Sequence, residues 1–440
     1  MISGVEKKVR DYLKRELVSV SSESSIREAA KVMYDKRVSS VVVMENDHLY
    51  GIFTDFDLRK LIAIDADLDE RIGSVAKKTL TTIEADNSIL EALSRMIENG
   101  VGHIIVTESG KPVGILTFRD IAYELGPFYI RYTTQIRRAK DLESIGAIVH
   151  SFKDDLIKEA SLYLGRPEEF NPKLFFETIS YVVDSAIRAV VRKLPPCGEL
   201  VYAVTGSGGR REQFLLTDRD TMAIYTSEKC KKFLSELENR LNSLGFPPCP
   251  HGYTADRYSF NIDEIEEKIE EWCNNPENYA VEISLLADAR AIFGRADILD
   301  NAKKMLVKKL YRDRLFLRHS LMYRPALSML GNLRKSFDFK AGAIAPVEYP
   351  VRALAVTNGI LELDTHSRIA ALGREKLIPP DLTDDLMHAY TILTRRKIWL
   401  QIRGKKQFVA SEFNPMERSL VRDALRVVRK FQEYVERNYL

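Results

Sequence analysis

Apolar and polar residues follow three regimes along the chain. Up to about residue 126, short apolar runs alternate with amphipathic segments. Ile26, Ala29, Ala30 and Met33 stand three or four apart, and so do Ile89, Ala92, Leu93 and Met96. That spacing places apolar side chains on one helix face. The runs Val41–Met44 and Leu49–Thr54 read as strands joined by a turn, as do Ile104–Thr107 and Pro112–Thr117. The two sets coincide at a constant offset of 63 residues, with Gly51 on Gly114, Thr54 on Thr117 and Asp57 on Asp120. The repeat predicts two units of strand, helix, strand, strand and helix.

After Gly126-Pro127 the pattern turns helical. Leu142, Ile145, Val149, Phe152 and Leu156 form one stripe, and Phe175, Ile179, Val182, Ala186 and Val190 another. Leu194-Pro195-Pro196 ends the second helix. Residues 199–318 mix apolar strands with helices, one over Lys229–Leu244 and one over Asp263–Glu277. The run Val281–Gly294 reads as a strand ending at Asp288 and Arg290. Beyond 319 the periodicity is helical again, closing on Val421, Leu425, Val428 and Phe431. The predicted chain is therefore multi-domain α/β and α. Its parts are β-α-β-β-α units at 8–66 and 71–126, a helical connector at 127–198, an α/β sheet domain at 199–318 and a helical domain at 319–440.

Composition narrows the class. The 440 residues carry a net charge of +3, which argues against bulk nucleic-acid binding. The N-terminal residues are charged throughout, unlike a signal peptide, and no apolar run reaches the ~18 residues a membrane span needs. Cys197, Cys230, Cys249 and Cys273 lie far apart with no zinc-type spacing, so they read as reduced thiols of a cytoplasmic protein. No HxH or HExxH occurs, and Thr394–Gln407 is a local basic patch that reads as a solvated face.

The chemistry concentrates in Val201–Tyr225. An apolar strand leads into Gly206, Ser207, Gly208 and Gly209, and a second strand follows Asp218 and Asp220. A glycine-rich turn lets backbone N–H groups approach phosphates. Carboxylates at i and i+2 of an extended segment point to one side and can hold a hard divalent cation.

The repeated G-h-h-T-x-x-D pattern resembles tandem CBS domains. The resemblance implies clefts that bind AMP, ADP or ATP, with Thr54, Asp57, Thr117 and Asp120 as ribose and phosphate contacts, and a homodimer formed through the pair. From the residues alone, the same threonines and aspartates serve as helix caps.

The central stretch resembles the nucleotidyltransferase superfamily. It is most similar to the DUF294 group, which is akin to the transferase part of PII-protein uridylyltransferase. The pattern GSxGRxEQxxxTDxD stands here as Gly206, Ser207, Gly209, Arg210, Glu212, Gln213, Thr217, Asp218 and Asp220. Gly208 replaces an often acidic residue, and Thr221 stands where Asn is common. The resemblance implies Mg²⁺ or Mn²⁺ on Asp218 and Asp220, with an NTP as substrate. Gly206, Ser207 and Gly209 would hold its phosphates, and Arg210 or Arg211 would neutralise the leaving group. From the residues, Glu212 can instead pair with one of those arginines.

Asp288 is the first candidate for a third catalytic carboxylate and Asp256 the second. A helix cap, or a pairing of Asp288 with Arg290, stays open. Asp338, Lys340, Gly342, Pro346, Arg352, Thr365 and Arg368 match the group's C-terminal signature. Lys340 is there a candidate phosphate contact, with Asp338 as a competing partner.

The implied function is a CBS-regulated transfer of NMP from Mg-NTP to a hydroxyl of a protein, such as a PII-like one, or of a small molecule. The alternative is a non-catalytic adenine-nucleotide-binding signal-transduction protein. RNA 3′-end transfer is disfavoured, because no RRDFTxNA-like element occurs.

Overall fold

The computed structural model describes residues 8–13, 17–46, 48–118, 121, 127–162, 171–213 and 218–440. Asp120 and Thr217 lie outside them. The chain divides into two compact units, Met1–Arg137 and Arg138–Leu440.

The first unit holds two three-stranded sheets of the same design. In one, β1 (Ser19–Ser21) runs parallel to β2 (Ser40–Glu45), which pairs antiparallel with β3 (His48–Thr54). The other repeats this with β4 (Thr82–Glu84), β5 (His103–Glu108) and β6 (Lys111–Thr117). Helices Ile26–Lys36 and Ile89–Asn99 start on serine caps, Ser25 and Ser88, whose hydroxyls accept the Glu28 and Glu91 amides. Ile26, Ala29, Met33, Val41, Val43 and Phe53 bury against one another, so the apolar stripe read from the sequence is the core face.

The second unit is built on one four-stranded sheet in the order β10-β7-β8-β9. Strands β7 (Leu200–Val204) and β8 (Thr221–Tyr225) are antiparallel and buried along their whole length. β10 (Arg290–Gly294) flanks β7 antiparallel, and β9 (Ser259–Asn261) flanks β8 in parallel. Val201, Ala203, Met222 and Ile224 belong to one apolar core with Leu286, Val347, Leu354, Leu386, Leu425 and Val428. The sheet and the C-terminal helices are thus a single packed body.

Two expectations are corrected. The apolar run before Asp288 is a helix, Ala280–Ala287, and the strand begins only at Arg290. A short run apolar on all sides carries no period, so burial alone cannot separate helix from strand. Nor are all four cysteines thiols, because Cys197 and Cys230 form a disulfide with Cα atoms 5.0 Å apart. The pairing of Leu200 with Tyr225, continued by the Thr226 amide on the Glu199 carbonyl, brings the ends of the two strands together. Cys249 and Cys273 stay free. Among the described residues no helix is long and apolar enough to cross a membrane.

Candidate nucleotide site

The turn after β7 is one tight helical turn, Gly206–Gly209. Gly206 has φ +54°, and a Cβ there would lie 2.8 Å from Asp220 Oδ2. At Gly209 a Cβ would meet the Asp288 carbonyl at 1.9 Å. Both positions need glycine, one for conformation and one for close approach. Arg290 bonds the Gly208 and Gly209 carbonyls at 3.2 and 3.3 Å and is itself held by Asp184 at 2.6 Å. A cation on the last carbonyls of a helical turn steadies it.

Asp218 and Asp220 lie just ahead of β8. The Thr205 amide donates to the Asp220 carbonyl, and the Arg219 amide to Pro247. Arg219 points to the opposite side and is buried on Glu238 and the Phe246 carbonyl. Thr221 and Tyr202 also donate to Glu238, at 2.7 and 2.9 Å. The alternation expected of an extended segment is thus present, and a buried carboxylate behind the pair fixes it. Asp218 is exposed and Asp220 half-buried. Burial, reinforced by Asp218, raises the Asp220 carboxyl above its ordinary range. Such a pair gains from a divalent cation, which neutralises both charges.

Gly206, Ser207, Asp218, Asp220 and Lys340 line one cavity of about 880 Å³ between the sheet and the C-terminal helices. This brings together most of the phosphate and metal candidates. Lys340 is exposed, and among the described residues it makes no ion pair. Asp338 instead accepts the Ala341 amide at 2.8 Å. Asp256 is not in the group formed by the DxD carboxylates; its near neighbour is Arg257, at 4.0 Å.

Arg210 and Asp288 line the same cavity from its buried wall, where they are bonded to each other. Asp288 caps the helix Ala280–Ala287 and is 1% exposed. Its carboxylate meets Arg210 at 2.5 Å, Arg368 at 2.7 Å and Arg352 at 2.9 Å. Burial pushes this carboxyl up, but Arg352, Arg210 and Arg368 together hold it below the usual range. Arg210 also bonds Glu212 and Glu348, each at 2.7 Å. Glu212 accepts the Thr365 amide at 2.6 Å, and Tyr390 donates to Glu348 at 3.0 Å. Arg210, Glu212 and Asp288 therefore join the sheet domain to two C-terminal helices, Ala345–Val356 and Thr365–Arg374, and Tyr390 ties a third to the first of these through Glu348. Arg211, at φ +57°, lies over the Tyr181 ring and bonds its hydroxyl.

Sequence reasoning missed three features. Glu348 and Lys397 come from the C-terminal helices and line the cavity, and Cys249 stands beside the DxD. Lys397, Lys405 and Lys406 also put part of the expected solvated basic face on the cavity wall. Lys397 directly follows Arg395 and Arg396, and that run of charge hides it among the cations of the basic patch. Glu348 and Cys249 carry no local signal.

Close to this network, His366 bonds Thr391 at 3.1 Å against the Tyr390 ring. Burial pushes its pKa down from 6.5 to about 4. Between those values the unfolded chain binds a proton that the folded chain does not, so stability falls as pH drops from 6.5 toward 4. His366→Gln is expected to flatten that fall. Melting curves of parent and variant at about pH 7.5 and 5 test this, and identical pH slopes would contradict it.

In the first unit, Thr54 and Asp57 satisfy each other. The Thr54 hydroxyl and amide reach Asp57 Oδ2 at 2.6 and 3.1 Å, and Lys77 pairs with Asp57 at 2.7 Å. Thr117 ends β6.

The comparisons agree with this division. The CBS domain model matches residues 9–64 and 72–126. The model described as "Putative nucleotidyltransferase DUF294" matches 133–279. A third, described as "Putative nucleotidyltransferase substrate binding domain", matches 313–439. The chain has the CBS–DUF294 architecture: a CBS pair, a DUF294 domain and its C-terminal partner domain. An uncharacterized protein of Methanocaldococcus jannaschii is 33% identical over 115 residues, 26% of this chain and 38% of that protein. A 33.4 kDa Thermofilum pendens protein from a ribosomal RNA operon is 28% identical over 130 residues, 27% of this chain and 43% of that protein. The chain thus spans about two fifths of each. The crystal structure of a CBS domain protein from Pyrobaculum aerophilum, complexed with AMP, is 23% identical, with a TM-score of 0.26, and covers 27% of this chain and 92% of that one.

Proposed function

We propose that the chain transfers NMP from a divalent-metal NTP to a hydroxyl of a protein or small-molecule acceptor, under control of adenine nucleotides at the CBS pair. The observation that carries this is the DxD beside a turn that requires glycine at 206 and 209, both on one 880 Å³ cavity. That cavity can take a nucleotide and part of an acceptor.

Asp218 and Asp220 would hold Mg²⁺ or Mn²⁺, and their donor set fits such an ion. When bound, the metal neutralises phosphate charge and acidifies an acceptor hydroxyl. The chain's own part is placement. Gly206 and Ser207 would face the phosphates, and Lys340, which makes no ion pair among the described residues, brings positive charge to the same cavity. Arg210 and Asp288 serve this reading as positioning residues that fix the C-terminal wall opposite the DxD. A PII-like acceptor, a cytoplasmic setting and a CBS-mediated homodimer belong to the same proposal.

Equilibrium binding of the four NTPs to the full chain tests the site. Binding that a chelator removes and Asp220→Asn weakens is expected. A chain that binds no NTP with either metal would sink the reading.

A second reading has its own observation. Asp288 is neutralised by arginines, which leaves two carboxylates at the DxD. That favours a nucleotide sensor without catalysis. Calorimetry with AMP, ADP and ATP addresses the CBS part shared by both readings, and absence of heat with all three would remove adenine-nucleotide control.

A further inference from the structure

The DxD pair meets a third donor from a segment that no motif marks. Ligand atoms of Asp218, Asp220 and Cys249 all lie within 4.8 Å of one another. Cys249 is 7% exposed and takes no part in the disulfide. Its surroundings hold it there. It sits in Pro247-Pro248-Cys249-Pro250, where three prolines limit the backbone to a narrow range. The loop is fastened alongside the DxD by the Arg219 amide on Pro247 and the Thr221 amide on Tyr253, both at 2.9 Å, and by the Gly252 amide on Cys249 at 3.1 Å. The Arg219 guanidinium adds a bond to Phe246 at 2.6 Å. Among the other acids on this cavity, Asp288 is consumed by three guanidiniums, and Glu212 and Glu348 are each paired with Arg210.

We propose that Cys249 is the third protein ligand of the ion held by Asp218 and Asp220. The site then takes a borderline divalent ion such as Co²⁺ or Zn²⁺ ahead of Mg²⁺. Thiolates favour such ions, whereas Mg²⁺ favours all-oxygen shells. On binding, the S–H bond breaks, a metal–sulfur bond forms and the proton leaves to solvent. This rests on the DxD as a metal site, and the test separates the two claims.

Co²⁺ is titrated into the full-length chain without reductant, and the near-ultraviolet thiolate-to-cobalt charge-transfer band is recorded. The band is expected in the parent and in Cys273→Ser, and it is expected to vanish in Cys249→Ser. The same variant should bind Co²⁺ at least ~10-fold more weakly, since even an outer-shell partner is worth that much. Cys249→Asp should shift preference toward Mg²⁺. Cys273 is the other free thiol, so a band kept in Cys273→Ser assigns the sulfur to Cys249 even if Cys249→Ser fails to fold. Co²⁺ binding that Asp218→Asn abolishes but that shows no thiolate band would overturn the role of Cys249 and leave the DxD site standing. A band that persists in Cys249→Ser would also overturn it. No Co²⁺ binding at all would remove the DxD site and this ligand together.

Discussion

Asp288→Ala is expected to cost the second unit about 3–5 kcal/mol, the range for a buried ion pair broken from one side. The substitution leaves Arg210, Arg352 and Arg368 facing one another with no carboxylate between them, each within 3 Å of where it stood. Water compensates little, since all three are 4% exposed or less. Asp288→Asn should cost less, because it keeps the shape and two acceptor lone pairs while removing the charge. Urea unfolding followed by a probe in the second unit measures the difference. A catalytic Asp288 would give another result, with transfer lost and stability moved by less than about 1 kcal/mol. The pH dependence has a definite sign. A carboxyl held below its ordinary range contributes stability above that range and loses it as pH falls through the folded value. The parent should therefore keep this contribution at neutral pH and shed it only in strong acid, and Asp288→Asn should lack that acid limb.

Asp218→Asn is expected to do the reverse. Asp218 is exposed and makes no ion pair among the described residues, so stability should move by no more than about 0.5 kcal/mol. Transfer should fall by about 10²-fold or more, the scale seen when a group that meets transition-state charge is removed. NTP binding should lose its divalent requirement as well. The contrast between these two aspartates separates placement from chemistry on one cavity. A large stability loss in Asp218→Asn would mean that the DxD is structural.

Much of this was legible in the sequence, for physical reasons. The 63-residue repeat shows because both sheets bury the same alternate positions, so Val41 and Ile104 or Phe53 and Leu116 are apolar for one reason. Strands β7 and β8 show because they are buried on both faces. The glycine turn shows because no Cβ fits at Gly209. The rest depends on distance in space. Asp288 sits in a motif that pairs it with Arg290 by proximity. Yet Arg290 turns to Asp184, 106 positions away, and Asp288 to Arg368, 80 away. Arg210 looked like a phosphate ligand because a cation beside a glycine turn usually is one. Its three carboxylates come from Glu212, Asp288 and Glu348, and only the first is local. Cys249 reads as an ordinary apolar residue until the loop is folded back on the DxD. The basic patch read as solvated because Lys397, Lys405 and Lys406 have no period that marks the cavity wall.

The measurement that bears most directly on the central claim is transfer of α-phosphate label. The full-length chain is added, with Mn²⁺ or Mg²⁺, to a lysate of its source cell containing NTPs labelled at the α position. Label is expected to appear on an acceptor with the parent chain and to be missing with Asp218→Asn at equal folded concentration. Label that never leaves the nucleotide, or that reaches an acceptor equally well with Asp218→Asn, would contradict the account.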